Sequence, residues 1–364
     1  MADLAAPSIR SNRAHLQLLK ELCEVGGISG AEGSVRDIVR RHVERLSDDI
    51  RTDSLGNLLV TKLGSGQKRA RVMVAAHMDE VGFMITAIDQ DGTLRFEAVG
   101  GIDARQIPGK PVWIGKDRIP GVIGLKPIHL SNSDERSRTV GLDSLRMDVG
   151  LASKETVMKM VKPGDPAVFA TRFTRLGPTI RGKAIDNRLG VAALIELIEH
   201  APPGVELLAA FTVQEEIGLR GAQLAAHSLD PALAIVVDCT PAHDLPCSNG
   251  EENTAYNSRM GDGPAIYLAD RATVYDPRLV RLLAESARAE RLPHQFRQPG
   301  GGGTDAGAIH LAREGIPAVS ISVPGRYLHT AAGIASLRDW RATVVLVHAA
   351  LCRLPELAGA LSSR

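Results

Sequence analysis

Aromatic residues make up only 3% of this 364-residue chain. Its interior therefore has to be packed from Val, Leu, Ile and Ala, and hydrophobic residues at 44% suffice for a substantial core. An excess of one charge is also missing. The 43 Lys and Arg against 42 Asp and Glu leave a formal net charge of +1, which argues against nucleic-acid or membrane-surface binding. No apolar run reaches the ~18 residues of a transmembrane helix. The four cysteines, Cys23, Cys239, Cys247 and Cys352, form no CxxC pair, and their spacing fits neither a disulfide framework nor a zinc finger. A reducing, cytoplasmic location is expected. The opening MADLAAPSIRSNR, which has no apolar core like that of a signal peptide, agrees with it.

The length allows one large domain or two. Residues 13–25 carry apolar residues at helical spacing, GGIS at 26–29 breaks that helix, and a second follows at about 32–46. VMVAA (72–76) reads as a buried strand. From Phe83 to Pro166 the character changes to short alternating apolar segments with turn signals at 91–92 and 108–109, which predicts an all-β insert. Beyond it an α/β rhythm resumes. Helices are expected at 191–200, 222–229, 277–290 and 337–353, and strands at 207–213, 233–238 and 318–323. The fold class is α/β, with a mixed, mostly parallel sheet flanked by helices. Residues 1–82 and 167–364 form the catalytic domain, and 83–166 the β-rich insert.

In such a sheet functional groups gather beyond the carboxyl ends of the strands. VMVAA is followed by His77 and Asp79, LLAAFTVQ by Glu215 and Glu216, LAIVV by Asp238, and AVSISVPGRY by His329; GKAIDNRLG adds Asp186. Imidazole and carboxylate are normal ligands for zinc, cobalt or manganese. Two divalent ions about 3.5–4 Å apart need a bridging carboxylate and terminal ligands on each side. The expected assignment is Asp186 as bridge, His77 and Asp238 on one ion, and Glu216 and His329 on the other. Two ions supply +4 and three carboxylates −3, so a bridging hydroxide balances the site. Glu215 is left as general base, and Asp79 as acceptor of the second imidazole N–H of His77.

Each residue alone has a plainer explanation: a solvated Glu-Glu pair, a helix-capping Asp238, a satisfied loop histidine at 329. Their ordered recurrence after strand-like runs is what argues for a site. His310 falls in a helical stretch and reads as structural, His129 lies in the insert, and Cys239 reads as a small buried apolar group. In GGGGTDAGAIH (300–310) the glycines allow close backbone approach to a ligand, while Thr304 or Asp305 can start a helix. That segment is expected to wall the substrate site.

AAHMDEVGFM (75–84), GKAIDNRLG (182–190), TVQEEIGLRGA (212–222), VVDCTPAHD (236–244), GGTDAGAIH (302–310) and RYLHTAAGIAS (326–336) together resemble the tetrahedral aminopeptidases and their glutamyl-aminopeptidase-like bacterial relatives. The resemblance extends to LLKELCEVGGISGAEGSVRDIV (18–39), DSLGNLLV (53–60), GVIGLKPIHL (121–130) and KPGD (162–165). It implies the same metal ligands, His77, Asp186, Glu216, Asp238 and His329, with Glu215 as base and Asp79 as the aspartate of HxD. It also implies that the insert is a dimerisation domain and that dimers assemble into hollow dodecamers. The segments CTPAHDLPCSNGEEN and HTAAGIAS depart from the family's best-known forms, which bears on residue preference.

The expected activity is hydrolysis of N-terminal residues from short peptides by a metal-bridging hydroxide. The alternatives are a two-metal amidase or deacylase, against which the insert position argues, and a non-catalytic scaffold with a vestigial site. A glycosidase would need two free carboxylates, and here most are committed as ligands.

Overall fold

The computed structural model describes residues 7–8, 12–66, 69–245 and 257–361. Cys247, most of the MADLAAPSIRSNR stretch and the SNGEEN part of the divergent segment lie outside the described residues.

The strand Ala70–His77 is buried without alternation from Val72 onward, as expected of a strand covered on both faces. Val205–Thr212 and Leu233–Pro241 flank it in parallel, and Ala318–Arg326 runs parallel to Leu233–Pro241. Antiparallel strands extend the sheet, Leu58–Leu63 and Asp49–Thr52 on one side and Gly333–Ser336, Thr179–Gly182 and Thr174–Leu176 on the other, and Ala265–Tyr267 joins Ala318–Arg326 with Gln295–Arg297 parallel beside it. None of these outer strands is expected from the apolar runs. Asp49–Thr52 and Thr174–Leu176 contain no buried residue, so they carry no hydrophobic signal.

Every expected helix is present. Residues 337–353 belong to a longer one, Leu337–Leu361, and His310 caps the short helix Ala306–Ile309. Helix Ile185–Glu199 buries nearly all its side chains against the sheet. A Cβ at Gly190 would fall 2.7 Å from the Val237 carbonyl oxygen, so glycine lets this helix lie close to the strand bearing Asp238. Asp276 caps Pro277–Ala289 by accepting from the Arg278 amide, with proline at the start of the helix.

The insert is a closed six-stranded barrel: Gly82–Ile88, Leu94–Val99, Arg146–Asp148, Ile119–Gly124, Pro111–Ile114 and Pro166–Phe169. It has its own core. Phe83 meets Phe96 and Phe169 edge to face at 5.2 and 5.3 Å, so three of the six phenylalanines in the chain sit here. The main core is predominantly aliphatic.

A buried ion cluster ties the segment before the second helix to the sheet. Glu80 accepts two bonds from Lys183 Nζ (2.7 and 2.9 Å) and faces Arg188 at 3.3 Å. Lys183 also donates to Val25, and Arg188 to the carbonyls of Met78 and Leu22. All three charged residues are buried. Removing one member of such a cluster typically costs about 3–5 kcal/mol, because it leaves an uncompensated buried charge.

Candidate metal centre

Register brings the expected residues to one edge. Thr212 lies opposite His77, Val236 opposite Ala75, and Asp238 opposite Ser322. The three parallel strands that carry His77, Thr212 and Asp238 therefore end nearly level. His329 lies three residues beyond the end of Ala318–Arg326. Asp186 stands near the start of its helix, with extended rather than helical angles (φ −79°, ψ 112°). Ala184, Gln214 and His329 adopt left-handed backbone conformations at φ 52°, 56° and 58°. Such strain in residues other than glycine concentrates where side chains are held for function.

The side chains converge. His77 Nε2 lies 3.3 Å from Asp186, 3.5 Å from Asp238 and 3.9 Å from Glu215. His329 Nε2 lies 3.3 Å from Glu216 and 3.6 Å from Asp186. Two overlapping groups have metal-ligand spacing: His77, Glu215 and Asp238; and His77, Asp186 and Glu216.

Support for this cluster comes from Asp79 and from Ser29, Glu32 and Asn57, which the sequence alone does not mark. Asp79 accepts the amides of Glu215 and Glu216 (both 3.1 Å) and the Ser29 hydroxyl (2.6 Å). Glu32 accepts the amide of Gln214 (3.2 Å). Asn57 accepts the Val213 amide and donates to the Gly221 carbonyl. Three consecutive amides of the Glu-Glu loop are thus held by two carboxylates. His77 Nδ1 is closer to the Asp79 carbonyl oxygen (3.1 Å) than to its carboxylate (3.5 Å). The insert supplies the Gly101 carbonyl that faces His329 Nδ1 at 3.0 Å.

Thr304 and Asp305 do not line the cleft; Gly300–Gly303 do. Both are buried. Thr304 bonds Ser320 at 2.7 Å, and Asp305 accepts from the Thr212 hydroxyl. The polar pair that follows the glycines points inward and anchors the loop. His243, Arg271 and Arg297 also line the cleft, a cavity of about 1140 Å³. His310 bonds the Ala306 carbonyl, and Cys239 is buried.

The electrostatics favour cations. Among the described residues no Lys or Arg pairs with Asp186, Glu215, Glu216 or Asp238. Among the described residues Asp186 Oδ1 is buried with only the His77 imidazole nearby at 3.3 Å and makes no hydrogen bond. Burial and the Asp186 charge push Glu216 up to about 8, and burial pushes Asp238 up to about 6. Burial and the charges of Asp238, Asp305 and Glu216 hold Glu215 well above the carboxylate range. Against the cost of burial, Asp186 and Glu216 raise His329 to about 9. Buried like charges of this kind need a compensating cation or a proton, and the imidazole and carboxylate donors suit divalent transition metals.

A pH dependence follows. At pH 7 Glu216 and His329 are largely protonated when set by protein groups alone. A ligand must shed its proton to bind metal. Metal uptake near neutrality is therefore expected to release protons, and apparent affinity to rise between pH 6 and 9. Calorimetry in two buffers of different ionisation enthalpy measures this; affinity independent of pH over that range would contradict it.

A family model described as M42 glutamyl aminopeptidase matches residues 56–346. A putative aminopeptidase of Acetivibrio thermocellus is 39% identical over 336 residues, covering 92% of this chain and 98% of its own. A lysyl aminopeptidase of Pyrococcus furiosus is 33% identical over 352 residues, with coverage of 94% and 98%. The solved structure of the Pyrococcus horikoshii TET1 peptidase, which can assemble into a tetrahedron or a large octahedral shell, superposes with a TM-score of 0.80 at 34% identity, covering 92% and 98%.

Proposed function

The chain belongs to the M42 glutamyl aminopeptidase family, and we propose that it acts as a metal-dependent aminopeptidase releasing single residues from the free N-terminus of short peptides. The observation that carries this reading is the meeting of two imidazoles and four carboxylates, free of Lys or Arg partners among the described residues, at one edge of the sheet in an open cleft.

We assign two divalent ions, zinc or cobalt with manganese as a further choice. His77, Asp186, Glu216, Asp238 and His329 would hold them, with Asp186 between the two imidazoles. Bound there, the ions would polarise the scissile carbonyl and lower the pKa of water towards about 7. Asp79, Glu32 and Asn57 fix the Glu-Glu loop, so that Glu215 can take a proton from the attacking water and pass it to the departing amine. Gly101 orients His329. Glu215 also accepts a charge-assisted hydrogen bond from the substrate's α-ammonium group, and Gly300–Gly303 form the adjoining wall, anchored by Thr304 and Asp305.

The test compares a short peptide with its N-acetylated twin. Acetylation removes the ammonium and leaves a desolvated carboxylate unpaired, so kcat/KM should fall roughly 30- to 4,000-fold. Equal cleavage of the two would favour the amidase or deacylase reading.

We further propose that residues 83–166 serve as the dimerisation module and that dimers build a dodecamer. The barrel exposes Val122, Leu125, Ile128, Leu130, Met158 and Met160, an apolar surface of the sort that interfaces cover. Replacing 83–166 with a short linker should lower the mass measured by light scattering below the dimer; an unchanged assembly would refute the role. Among the described residues no helix is long and apolar enough to cross a membrane, and Cys23, Cys239 and Cys352 are free thiols, which supports a cytoplasmic location.

A further inference from the structure

Asp305 is a carboxylate that the proposed reaction does not use. It is 1% exposed and lines no part of the cleft. Its Oδ2 accepts from the Thr212 hydroxyl, while Oδ1 is shielded from solvent and makes no hydrogen bond among the described residues. No Lys or Arg among them partners it.

The position of this carboxylate follows from its anchors. Thr212 stands opposite His77; Ser320 stands opposite Val236, which in turn stands opposite Ala75. Paired residues of a parallel sheet share a face, and so do residues two apart on one strand. Thr212, His77, Asp238 and Ser320 therefore all project from the same face. Four neighbouring strands carry them in that order. Thr304 bonds Ser320 on the last of the four, and the next residue, Asp305, accepts from Thr212 on the first. The pair thus straddles the two strands between, which carry His77 and Asp238. Neighbouring strands lie about 4.8 Å apart, so a carboxylate held by Thr212 stands close beside the His77 strand. The charges agree with this placement. Burial, with Asp238 and Asp79, pushes Asp305 up to about 7 against the pull of His77 and the Thr212 hydroxyl. A buried anion without a cationic partner is costly, and a cation bound nearby relieves it.

We propose that Asp305 is an outer carboxylate of the metal centre: it coordinates no ion itself, but its fixed charge behind His77 and Asp238 tightens the binding of the ion nearest them. The inference rests on the metal-dependent reading and adds to it a residue outside the ligand set. A plain loop anchor needs only the hydrogen bond from Thr212, which an amide oxygen also accepts. The outer-carboxylate role needs the charge.

Asp305→Asn separates the two, since it keeps the size and the acceptor but removes the charge. Zinc and cobalt affinities of the full-length protein, stripped and then titrated, are measured by competition with a chromophoric chelator. One of the two ions should bind about 10- to 100-fold more weakly in the variant. The visible spectrum of bound cobalt should be unchanged, because the ligands are the same. Asp305→Ser, also neutral and smaller, should show the same loss, and it decides the matter if the amide variant does not fold. Melting temperatures give an independent reading. Without metal, Asp305→Asn should melt no lower than wild type, because a buried unpaired charge has gone. At a fixed, limiting concentration of zinc it should melt lower, because weaker binding stabilises less. Unchanged affinity for both ions, or an equal drop in melting temperature with and without zinc, would reduce Asp305 to a loop anchor and overturn the proposal. An altered cobalt spectrum would make it a ligand and overturn it as well. Wild type that takes up no divalent ion would defeat the metal-dependent reading and this inference together, whereas wild type with two ions and a variant that binds both as tightly defeats the inference alone.

Discussion

Stripping divalent ions with a chelator should bring hydrolysis of an unblocked peptide to background, and elemental analysis of the active protein should return about two ions per chain. Four carboxylates and two imidazoles share this edge, and His77 alone lies within 3.9 Å of three of the carboxylates. With the protein groups alone the cluster holds protons: burial and the Asp186 charge push Glu216 up to about 8, and against the cost of burial Asp186 and Glu216 raise His329 to about 9. A chelated protein should therefore stay folded, because the metal-type residues sit at the sheet edge rather than in the core, and should regain activity when ions are returned. Reloading with zinc, cobalt and manganese in turn identifies which supports turnover. Active protein free of bound metal would refute the assignment, and metal-replete protein without activity on any peptide would favour the vestigial scaffold.

Much of this site can be read from the chain because strands buried on both faces announce themselves as continuous apolar runs. The residue just beyond such a run is then forced to the sheet edge. His77, Glu215, Glu216, Asp238 and His329 are all found that way, and Asp186 by its place before a helix. The supporting residues are not. Ser29 and Glu32 sit in a glycine-rich turn, where such residues ordinarily cap helices; their partners, Asp79 and the Gln214 amide, are 50 and 182 positions away. Asn57 looks like a turn residue, yet it holds the loop from Val213 to Gly221. Gly101 contributes only a carbonyl, which has no side-chain signature. Asp305 is placed differently from what its segment suggests. Its type and its place after four glycines pointed to substrate, but the chain turns it inward onto Thr212.

Replacing Glu215 with Gln should lower kcat about 10²- to 10⁴-fold while leaving the metal content unchanged. The two readings of this residue differ in what else they predict. Its carboxylate lies 3.9 Å from His77 Nε2 and joins His77 and Asp238 in a group with ligand spacing, so it has the reach of a metal ligand. Its neighbour Glu216 instead faces His329 at 3.3 Å, and adjacent side chains on one loop do not readily serve the same ion. Glu215 also has the electrostatics of a proton carrier, since burial and the charges of Asp238, Asp305 and Glu216 favour its protonated form. Such a group can hold a proton between its removal from water and its delivery to an amine. Gln keeps the size and the hydrogen-bonding shape but cannot carry that proton. Loss of one ion in the variant would make Glu215 a ligand, and near-normal turnover would place the base elsewhere. Two retained ions with lowered turnover would leave proton transfer as the function removed.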